Sequence, residues 1–208
     1  IERYERALSE TERLATIVRE VHHRIKNNLQ GVVGLLAEHR DTTPALAGVL
    51  NSAISQLHAV AEVHNLLAHQ NEEQISLTEL VRAIVTHVAA LCHHRLEVDI
   101  PENTDSFMLS AGEAVPFALV VNELLLNAIK HGYPDGRTGT IRISLDANGE
   151  ASLRVANDGC LPEFMPSPDS SGLGLQLVRA LLPASCSLRL SGADGWTVAE
   201  VTLRDWMK

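Results

Sequence analysis

The sequence lacks any uninterrupted apolar run near the roughly 20 residues that a membrane-spanning helix needs, and no signal peptide opens it. We therefore expect no membrane segment within this chain. The first residue is Ile1 rather than methionine, which is expected of a piece of a longer protein. Apolar residues make up 45 % and charged residues 21 %, so a globular fold with a buried core is expected.

Positive charge is also scarce, because 26 acidic residues outnumber 17 lysines and arginines and give a formal net charge of −9. Nucleic acid is therefore not expected as a partner, since phosphate contacts need clustered Lys and Arg. The cysteines Cys92, Cys160 and Cys186 are odd in number and widely spaced, so a reducing cytoplasm fits better than a disulfide framework. His93 and His94 follow Cys92 directly, a spacing that makes a poor zinc site.

Helical spacing of apolar residues governs the first third of the chain. The stripe falls at Leu14, Ile17, Val18, Val21, Ile25, Leu29, Val32, Leu35 and Leu36. Residues 41–44 then combine a helix stop with a proline that opens the next helix, and a second stripe runs to Leu67. Residues 1–73 are therefore predicted to form a long helical hairpin. Two helices cannot enclose a core, so we expect a homodimer whose two hairpins make a four-helix bundle.

The pattern changes beyond this hairpin, and residues 74–208 mix helical and alternating segments. Strands are predicted at residues 96–100, 140–146, 151–156, 187–190 and 197–203. Helices are predicted at residues 114–131, at 173–182 and from Ser76 through Val88, with Ser76 and Glu79 as a capping box. Interleaved helices and mainly antiparallel strands predict an α/β sandwich with helices on one face of the sheet.

Two adjacent histidines on the first helix point in different directions. On a helical wheel His23 lies about 180° from the apolar stripe, whereas His22 lies about 80° from it, on its flank. His23 is therefore expected to face solvent, where a neutral imidazole is nucleophilic near pH 7. On geometry alone, an ordinary surface histidine is the more common explanation.

The residues around His23 read H-H-R-I-K-N-N-L-Q and resemble the phosphoacceptor box of histidine kinases with an H-R-x-K-N motif, the HWE kinases and their close relatives. The resemblance implies that His23, the histidine before Arg24, accepts a phosphoryl group from ATP. More familiar histidine kinases carry an acidic residue where Arg24 stands. Glu20, one turn earlier on the same face, is predicted to orient the imidazole instead. Arg24 and Lys26 either steer the phosphate or are solvated.

Residues 116–132 read P-F-A-L-V-V-N-E-L-L-L-N-A-I-K-H-G, an apolar helix interrupted by polar residues at helical spacing. The segment resembles the N box of the GHKL-type ATPases, which histidine kinases share with gyrase and mismatch-repair ATPases. The resemblance implies that Asn127 ligates Mg²⁺ at the ATP phosphates, and that Glu123 holds the metal or positions the reaction. Lys130 and His131 would face phosphate or ribose.

The run V-A-N-D-G at residues 155–159 lies where that superfamily carries its adenine-reading box, usually D-x-G-x-G. The register places Asn157 at the position of the Asp and Leu161 at that of the second Gly. An Asn accepts a bond from the adenine amino group more weakly than an Asp, since charge assistance is lost. Asp158 takes this role if the strand end shifts by one residue, and Gly159 completes the box. An ordinary turn is the plainer explanation.

Gly172, Leu173, Gly174 and Leu175 open a predicted helix and resemble the second glycine box of the same superfamily. Glycines let the backbone approach phosphate, and a helix N-terminus favours anions. Residues 160–171, with three prolines, are predicted to be a mobile lid over ATP.

The boxes follow one another in family order along nearly the whole chain. The resemblance implies a cytoplasmic histidine kinase core that uses ATP and Mg²⁺ and passes its phosphoryl group to an aspartate of a response-regulator receiver domain. Two alternatives stay open. One is a degenerate member that binds ATP poorly and acts as a scaffold holding or sequestering a partner protein. The other is a related ATPase such as a serine-kinase anti-sigma factor, which leaves the His23 helix unexplained.

Overall fold

The structure of the chain is a computed structural model. It describes residues 2–70, 74–90, 92–101, 107–133, 135–146, 151–159, 173–182 and 186–203. The chain divides into two compact units, Ile1–Ile75 and Ser76–Lys208. The division predicted from sequence places the boundary two residues earlier, between residues 73 and 74.

A helical hairpin forms the first unit. Helix α1 spans Glu2–Thr42 and helix α2 spans Ala47–Gln70, with a 3-10 turn at Pro44–Leu46 between them. Proline suits the start of this turn because its φ is already fixed and it has no N–H to leave unpaired. The Leu46 N–H closes the turn by donating to the Thr43 carbonyl at 2.9 Å. The predicted hairpin is confirmed.

Helix α1 carries two faces with different surroundings. The face toward α2 is half-buried and includes His22, Lys26, Leu29, Val33 and Leu36. The other, which we call the outer apolar face, consists of Leu14, Ile17, Val18, Val21, Val32 and Leu35. These side chains are exposed, from 44 % at Val32 to 60 % at Leu35. Much of the stripe predicted from the sequence therefore lies outside the contact between α1 and α2.

Helices and strands alternate in the rest of the chain. The helices are α3 (Leu77–Ala89), α4 (Ala111–His131) and α5 (Leu173–Leu181). The strands are β1 (Gln74–Ser76), β2 (Arg95–Asp99), β3 (Met108–Ser110), β4 (Thr140–Asp146), β5 (Ala151–Asn157), β6 (Cys186–Ala193) and β7 (Trp196–Leu203). A five-stranded sheet has the order β2-β4-β5-β7-β6, and β1 pairs with β3. In the larger sheet β2 and β4 are parallel, and the other neighbours are antiparallel.

Alternating burial along the strands explains why helices cover one face of this sheet. In β4 the side chains of Ile141, Ile143 and Leu145 are buried, whereas Arg142 between them is exposed. Helix α4 packs between α3 and α5 and contacts β5. On the opposite face Arg142 forms an ion pair with Glu97 at 2.9 Å. The predicted α/β sandwich is confirmed.

Helix α4 begins three residues before its predicted start because of a capping box that the sequence analysis does not anticipate. The Ser110 N–H and hydroxyl donate to the Glu113 carboxylate at 2.8 and 2.6 Å. At the predicted capping box, Ser76 is the N-cap residue of α3, but its side chain makes no capping hydrogen bond. The three-residue strands β1 and β3 escape prediction because they are too short for an alternating pattern.

Helix α4 is also the one helix of the described residues that is long and apolar enough to cross a membrane, with a mean hydropathy of 1.4. In this structure 56 % of that apolar segment is buried inside the protein. It also carries the buried polar residues Asn122 and Glu123. The helix is therefore the core helix of the α/β unit.

Candidate functional site

His22 faces the interior of the hairpin. Its Nδ1 atom lies 2.8 Å from Nδ1 of His64 on α2, and the two ring centroids are 5.1 Å apart. A hydrogen bond between two Nδ1 atoms needs one protonated and one unprotonated nitrogen, so at least one ring is neutral. Burial lowers the pKa of His22, and burial followed by the charge of His22 lowers the pKa of His64. The pair is therefore an interhelical contact that favours neutral imidazoles.

A second polar contact lies one turn further along α1. Lys26 Nζ donates to Asn65 Oδ1 at 2.5 Å, and Asn65 Nδ2 donates to Glu62 Oε1 at 3.3 Å. We call these three side chains and the histidine pair the polar layer of the hairpin. Because the layer ties α1 to α2 at two successive turns, it fixes the rotation of α1 about its own axis.

His23 projects from α1 about 100° away from His22. Its side chain is half-buried, rather than fully exposed as the helical wheel predicts. The predicted orienting residue, Glu20, accepts a hydrogen bond from Arg24 Nε at 2.7 Å. That bond, the charge of Arg24 and, to a smaller extent, the charge of His23 lower the pKa of Glu20. Glu20 is thus an ionised carboxylate within electrostatic range of His23, and its orienting role stays a prediction.

A cleft lies between α4 and the sheet of the α/β unit. Its volume is about 450 Å³, including solvent at its mouth. It is lined by Leu124, Asn127, Ala128, His131, Gly132, Val155, Asn157, Leu190, Thr197 and Ala199. A mostly apolar lining with a few polar groups is typical of small-molecule sites. Asn127, His131 and Asn157, all predicted to bind nucleotide, meet in this cleft.

Asn127 and Glu123 lie one turn apart on α4 and face the start of α5. A Cβ atom on Gly174 would lie 2.3 Å from Glu123 Oε2 and 3.6 Å from Asn127 Oδ1. A glycine therefore lets the backbone of α5 approach the Glu123 carboxylate, which is 4 % exposed. Asn127 Nδ2 is buried and has no hydrogen-bond partner among the described residues. The fold thus brings the predicted N box and glycine box together.

Four further predicted residues of these two boxes lie within the described part of the chain. Lys130 and His131 are exposed at the C-terminal end of α4, and of the two only His131 lines the cleft. Leu173 and Leu175 lie in the first turn of α5. Gly172 falls outside the described residues, as does the whole predicted lid.

Asn157 and Asp158 are neighbours with different surroundings. Asn157 ends β5, lines the cleft and is 5 % exposed, and its Nδ2 has no hydrogen-bond partner in the described part of the chain. Asp158 Oδ1 instead accepts hydrogen bonds from the Tyr133 hydroxyl at 2.8 Å and from the Thr140 N–H at 2.9 Å. Of the two, Asn157 is the residue that the fold presents to a ligand in the cleft.

The Asp158 carboxylate joins the segment after α4 to the end of β5. Burial alone raises the pKa of Asp158, but hydrogen bonds from Thr140 and Tyr133 and the charge of Arg137 outweigh it and lower the pKa. Burial, followed by the bond to Asp158, raises the pKa of the Tyr133 hydroxyl. The Tyr133 ring also stacks on His94, with centroids 4.3 Å apart. This cluster fixes the backbone immediately after Asn157.

Glycines allow the end of β5 and the segment that follows α4 to approach each other closely. A Cβ on Gly132 would lie 2.8 Å from Asn157 Nδ2, and one on Gly159 would lie 1.8 Å from the Gly132 carbonyl oxygen. A Cβ on Gly139 would lie 2.1 Å from the Tyr133 ring. No sequence motif assigns a role to Gly132, Tyr133 or Gly139. The available signal was an aromatic residue flanked by glycines just after the N box.

Two family models and several curated proteins match the chain. A histidine kinase model matches residues 20–92, and a histidine kinase-like ATPase domain model matches residues 77–199. The sensor histidine kinase PdtaS of Mycobacterium tuberculosis is 32 % identical over 199 residues, which cover 93 % of this chain and 39 % of that protein. A blue-light-activated histidine kinase of Brucella anthropi is 25 % identical over 195 residues, which cover 88 % of this chain and 38 % of that protein. The chain thus spans about two fifths of the length of these relatives.

Solved structures match the fold. The histidine kinase domain from the Erythrobacter litoralis EL346 blue-light activated histidine kinase has a TM-score of 0.61 at 20 % identity, and the match covers 94 % of each chain. A second structure of the EL346 kinase has a TM-score of 0.58 at 16 % identity, covering 87 % of this chain and 62 % of that one. Kinase names among the relatives do not favour a degenerate scaffold.

Proposed function

The chain belongs to the histidine kinase family, and from this premise we propose that it phosphorylates His23 with the γ-phosphoryl group of ATP and passes that group to an aspartate of a response-regulator receiver domain. In the first step the bond between the γ-phosphorus and the bridging oxygen of ADP breaks. A bond between phosphorus and an imidazole nitrogen of His23 forms. The attacking nitrogen uses its lone pair, so the other ring nitrogen carries the proton that must leave.

The observation that carries the donor half of this proposal is the pair of buried, unpartnered amides in one cleft. Asn127 Nδ2 and Asn157 Nδ2 have no hydrogen-bond partner among the described residues. Buried polar groups are normally satisfied within a protein. Four buried side-chain nitrogens among the described residues are exceptions, and the two that line one cleft support a polar ligand there. A nucleotide matches this arrangement, with its phosphates near Asn127 and its base near Asn157.

The donor groups present also suit Mg²⁺. Among the described residues, no cluster of three or more His, Cys, Asp or Glu side chains could hold a metal by itself. Mg²⁺ usually takes one or two protein oxygens and completes its shell with phosphates and water. Asn127 Oδ1 supplies such an oxygen and Glu123 lies beside it, so these two would hold the ion. When bound, Mg²⁺ neutralises charge on the phosphates during transfer.

The other predicted residues take supporting roles in this proposal. Lys130 and His131 contact phosphate or ribose from the end of α4. Backbone N–H groups at Leu173, Gly174 and Leu175 offer hydrogen bonds to phosphate at the start of α5. We assign Asp158 to positioning, because its carboxylate holds Tyr133 and Thr140 rather than lining the cleft.

At the acceptor, Glu20 is proposed to take the proton that leaves the His23 imidazole or to hold the ring in line, since its lowered pKa keeps it ionised. The polar layer fixes the rotation of α1 and so determines which way His23 projects. The outer apolar face is proposed to pack against a second copy of the chain, which makes the active form a homodimer. We place this activity in the cytoplasm, where ATP is available.

The decisive experiment incubates the full chain with γ-labelled ATP and Mg²⁺ and follows acid-labile, base-stable label on the protein. We expect labelling in the wild type and none in His23→Gln. The matched variant is His22→Gln, which alters the adjacent histidine on the interhelical face and should retain most of the label. Transfer is then tested by adding receiver domains to the labelled protein.

The outcomes separate the steps of the proposal. Label that persists in His23→Gln but disappears in His22→Gln would show that His22, and not His23, is the acceptor. Absence of label together with absence of nucleotide binding would contradict the whole donor site. Label that no receiver domain removes would contradict only the second step.

A further inference from the structure

We infer that the cleft accepts 6-oxopurine nucleoside triphosphates, such as ITP and GTP, alongside ATP, because Asn157 stands where a carboxylate would select adenine. The inference rests on the proposed function, since it concerns the base of the nucleotide that the cleft binds. It goes beyond that function because it defines the class of phosphoryl donor.

Asn157 offers the cleft both a donor and an acceptor. Its side chain is 5 % exposed, and its Nδ2 has no hydrogen-bond partner among the described residues. An amide N–H that is buried without a partner costs free energy, which a ligand with an acceptor at this point would recover. The unpaired donor therefore indicates a ligand that presents an acceptor, not only the amino group that a carboxylate would bind.

A second polar side chain lies beside Asn157. Thr197 on β7 is the register partner of Asn157 on β5, lines the same cleft and is 6 % exposed. Its hydroxyl can donate and accept. Among the described residues that line the cleft, none carries a carboxylate. No carboxylate of these lining residues therefore restricts this end of the cleft to a base that donates there.

The hydrogen-bonding edges of adenine and of a 6-oxopurine show how an Asn and an Asp at position 157 would differ in base selection. Adenine presents an amino donor at position 6 and an acceptor at N1, whereas a 6-oxopurine presents an acceptor at O6 and a donor at N1. An amide pairs with either edge after a half-turn about its last side-chain bond. A carboxylate only accepts, so the position that binds the adenine amino group repels the O6 oxygen of a 6-oxopurine bound in the same orientation. Asn157 should thus remove the discrimination that an Asp would impose.

The neighbouring carboxylate does not restore that discrimination. Asp158 Oδ1 is engaged by the Tyr133 hydroxyl and the Thr140 N–H, and Asp158 is not among the residues that line the cleft. The close approach of Gly132 to the Asn157 amide keeps that amide at the corner of the cleft. The amide is therefore the group that meets the base edge.

The test is a competition experiment on the full chain with Mg²⁺, in which ATP, ITP and GTP displace a fluorescent ATP analogue. ITP is the most informative probe, because it differs from ATP only at position 6 and in the N1 proton. We expect the wild-type Kd for ITP to lie within about tenfold of that for ATP. GTP then shows whether the cleft also tolerates a 2-amino group.

The matched variant is Asn157→Asp, which changes one atom of the side chain. It should bind ATP at least as well as the wild type and should prefer ATP over ITP by about 30-fold or more. Asn51→Asp makes the same change at an exposed position on α2 and should leave the wild-type ratio unchanged. A wild type that prefers ATP over ITP by far more than tenfold would overturn the inference and leave the kinase proposal standing. A wild type that binds no nucleotide would contradict the kinase proposal as well.

Discussion

The hairpin and the α/β unit both bury polar side chains, and they treat them in opposite ways. In the hairpin His22 pairs with His64 at 2.8 Å. In the cleft the amide nitrogens of Asn127 and Asn157 are buried and have no hydrogen-bond partner in the described part of the chain. Because native proteins normally satisfy such groups internally, the histidine pair is a structural contact complete in itself, whereas the two amide nitrogens of the cleft support the proposed nucleotide site.

The burial of apolar side chains also differs between the hairpin and the α/β unit. In the α/β unit Phe117 and Ile143 are fully buried. The hairpin leaves Leu14 at 58 % and Leu35 at 60 % exposed on the outer apolar face. The described part of the α/β unit therefore has a buried apolar core, but its cleft contains buried amide nitrogens without a partner. The hairpin has paired polar side chains in its polar layer, but it leaves apolar side chains exposed. The comparison supports nucleotide binding in the α/β unit and self-association through the hairpin, which also carries the proposed acceptor His23.

The largest effect is expected when the gap between α4 and α5 is filled. In Gly174→Ala the new Cβ would meet Glu123 Oε2 at 2.3 Å, so the buried carboxylate beside Asn127 must shift. A displacement near 1 Å in a phosphoryl-transfer site commonly costs about 100-fold in rate, and we expect autophosphorylation to fall by that factor. Initial rates with labelled ATP measure it.

Gly112→Ala provides the control for this substitution. Gly112 lies in the first turn of α4, and the nearest atom to its added Cβ is Ser110 Oγ at 4.0 Å. Replacing a helical glycine by alanine there should leave the rate unchanged. If Gly174→Ala were as active as Gly112→Ala, the close contact with Glu123 would have no part in catalysis.

A smaller effect, measured as self-association, is expected from the outer apolar face. Val18 and Val32 are 47 % and 44 % exposed, and we propose that a second copy covers them. Val18→Asp and Val32→Asp should each weaken self-association about tenfold or more, because a carboxylate would be buried in the interface. Analytical ultracentrifugation over a range of concentrations measures the dimer dissociation constant.

The α/β unit supplies the matched control. Val98 on β2 is 47 % exposed, as Val18 is, but it lies outside the hairpin. Val98→Asp should leave self-association unchanged. Equal weakening by all three variants would show that the effect is general, and a monomeric wild type at micromolar concentration would contradict the dimer itself.

The fold follows from the sequence wherever a periodic pattern runs for several residues. The helical spacing from Leu14 to Leu67 and the alternation in β4, β5 and β7 predict the hairpin and the sheet. The helical wheel does not reveal that α1 has two faces, because it averages every apolar residue into one direction. The structure places the half-buried residues of α1 toward α2 and leaves the outer apolar face exposed, a division that depends on contacts with α2.

The candidate site is predictable to the extent that motifs name its residues. Asn127, Asn157 and Gly174 are identified by resemblance, and the structure brings them to one cleft or its edge. The choice between Asn157 and Asp158 depends on Tyr133, whose hydroxyl engages the Asp158 carboxylate across 25 residues of sequence. No local pattern records such a contact, so sequence alone leaves both residues as candidates.

The smallest effect is expected from lowering the pH. As the pH falls, the hairpin should lose stability before the α/β unit does. The pKa values of His22 and His64 are lowered from 6.5, so the folded hairpin binds fewer protons than the unfolded chain near that pH. Their contribution to stability is therefore present above pH 6.5 and is lost as pH falls through the lowered values. The pKa of Asp158 is lowered from 3.8, so its contribution is lost only in stronger acid.

Thermal unfolding followed by circular dichroism at pH 7.5, 6.5 and 5.5, at fixed protein concentration, measures this difference. We expect the wild-type midpoint to fall by roughly 2 to 5 °C more than that of the double variant His22→Asn with His64→Asn, which retains hydrogen-bonding side chains without titrating. Equal slopes in the two proteins would mean that the histidine pair does not couple to folding. A steeper slope in the wild type would show that the polar layer matters for the stability of the helix that carries His23, and that mild acid disturbs this helix while the nucleotide cleft stays folded.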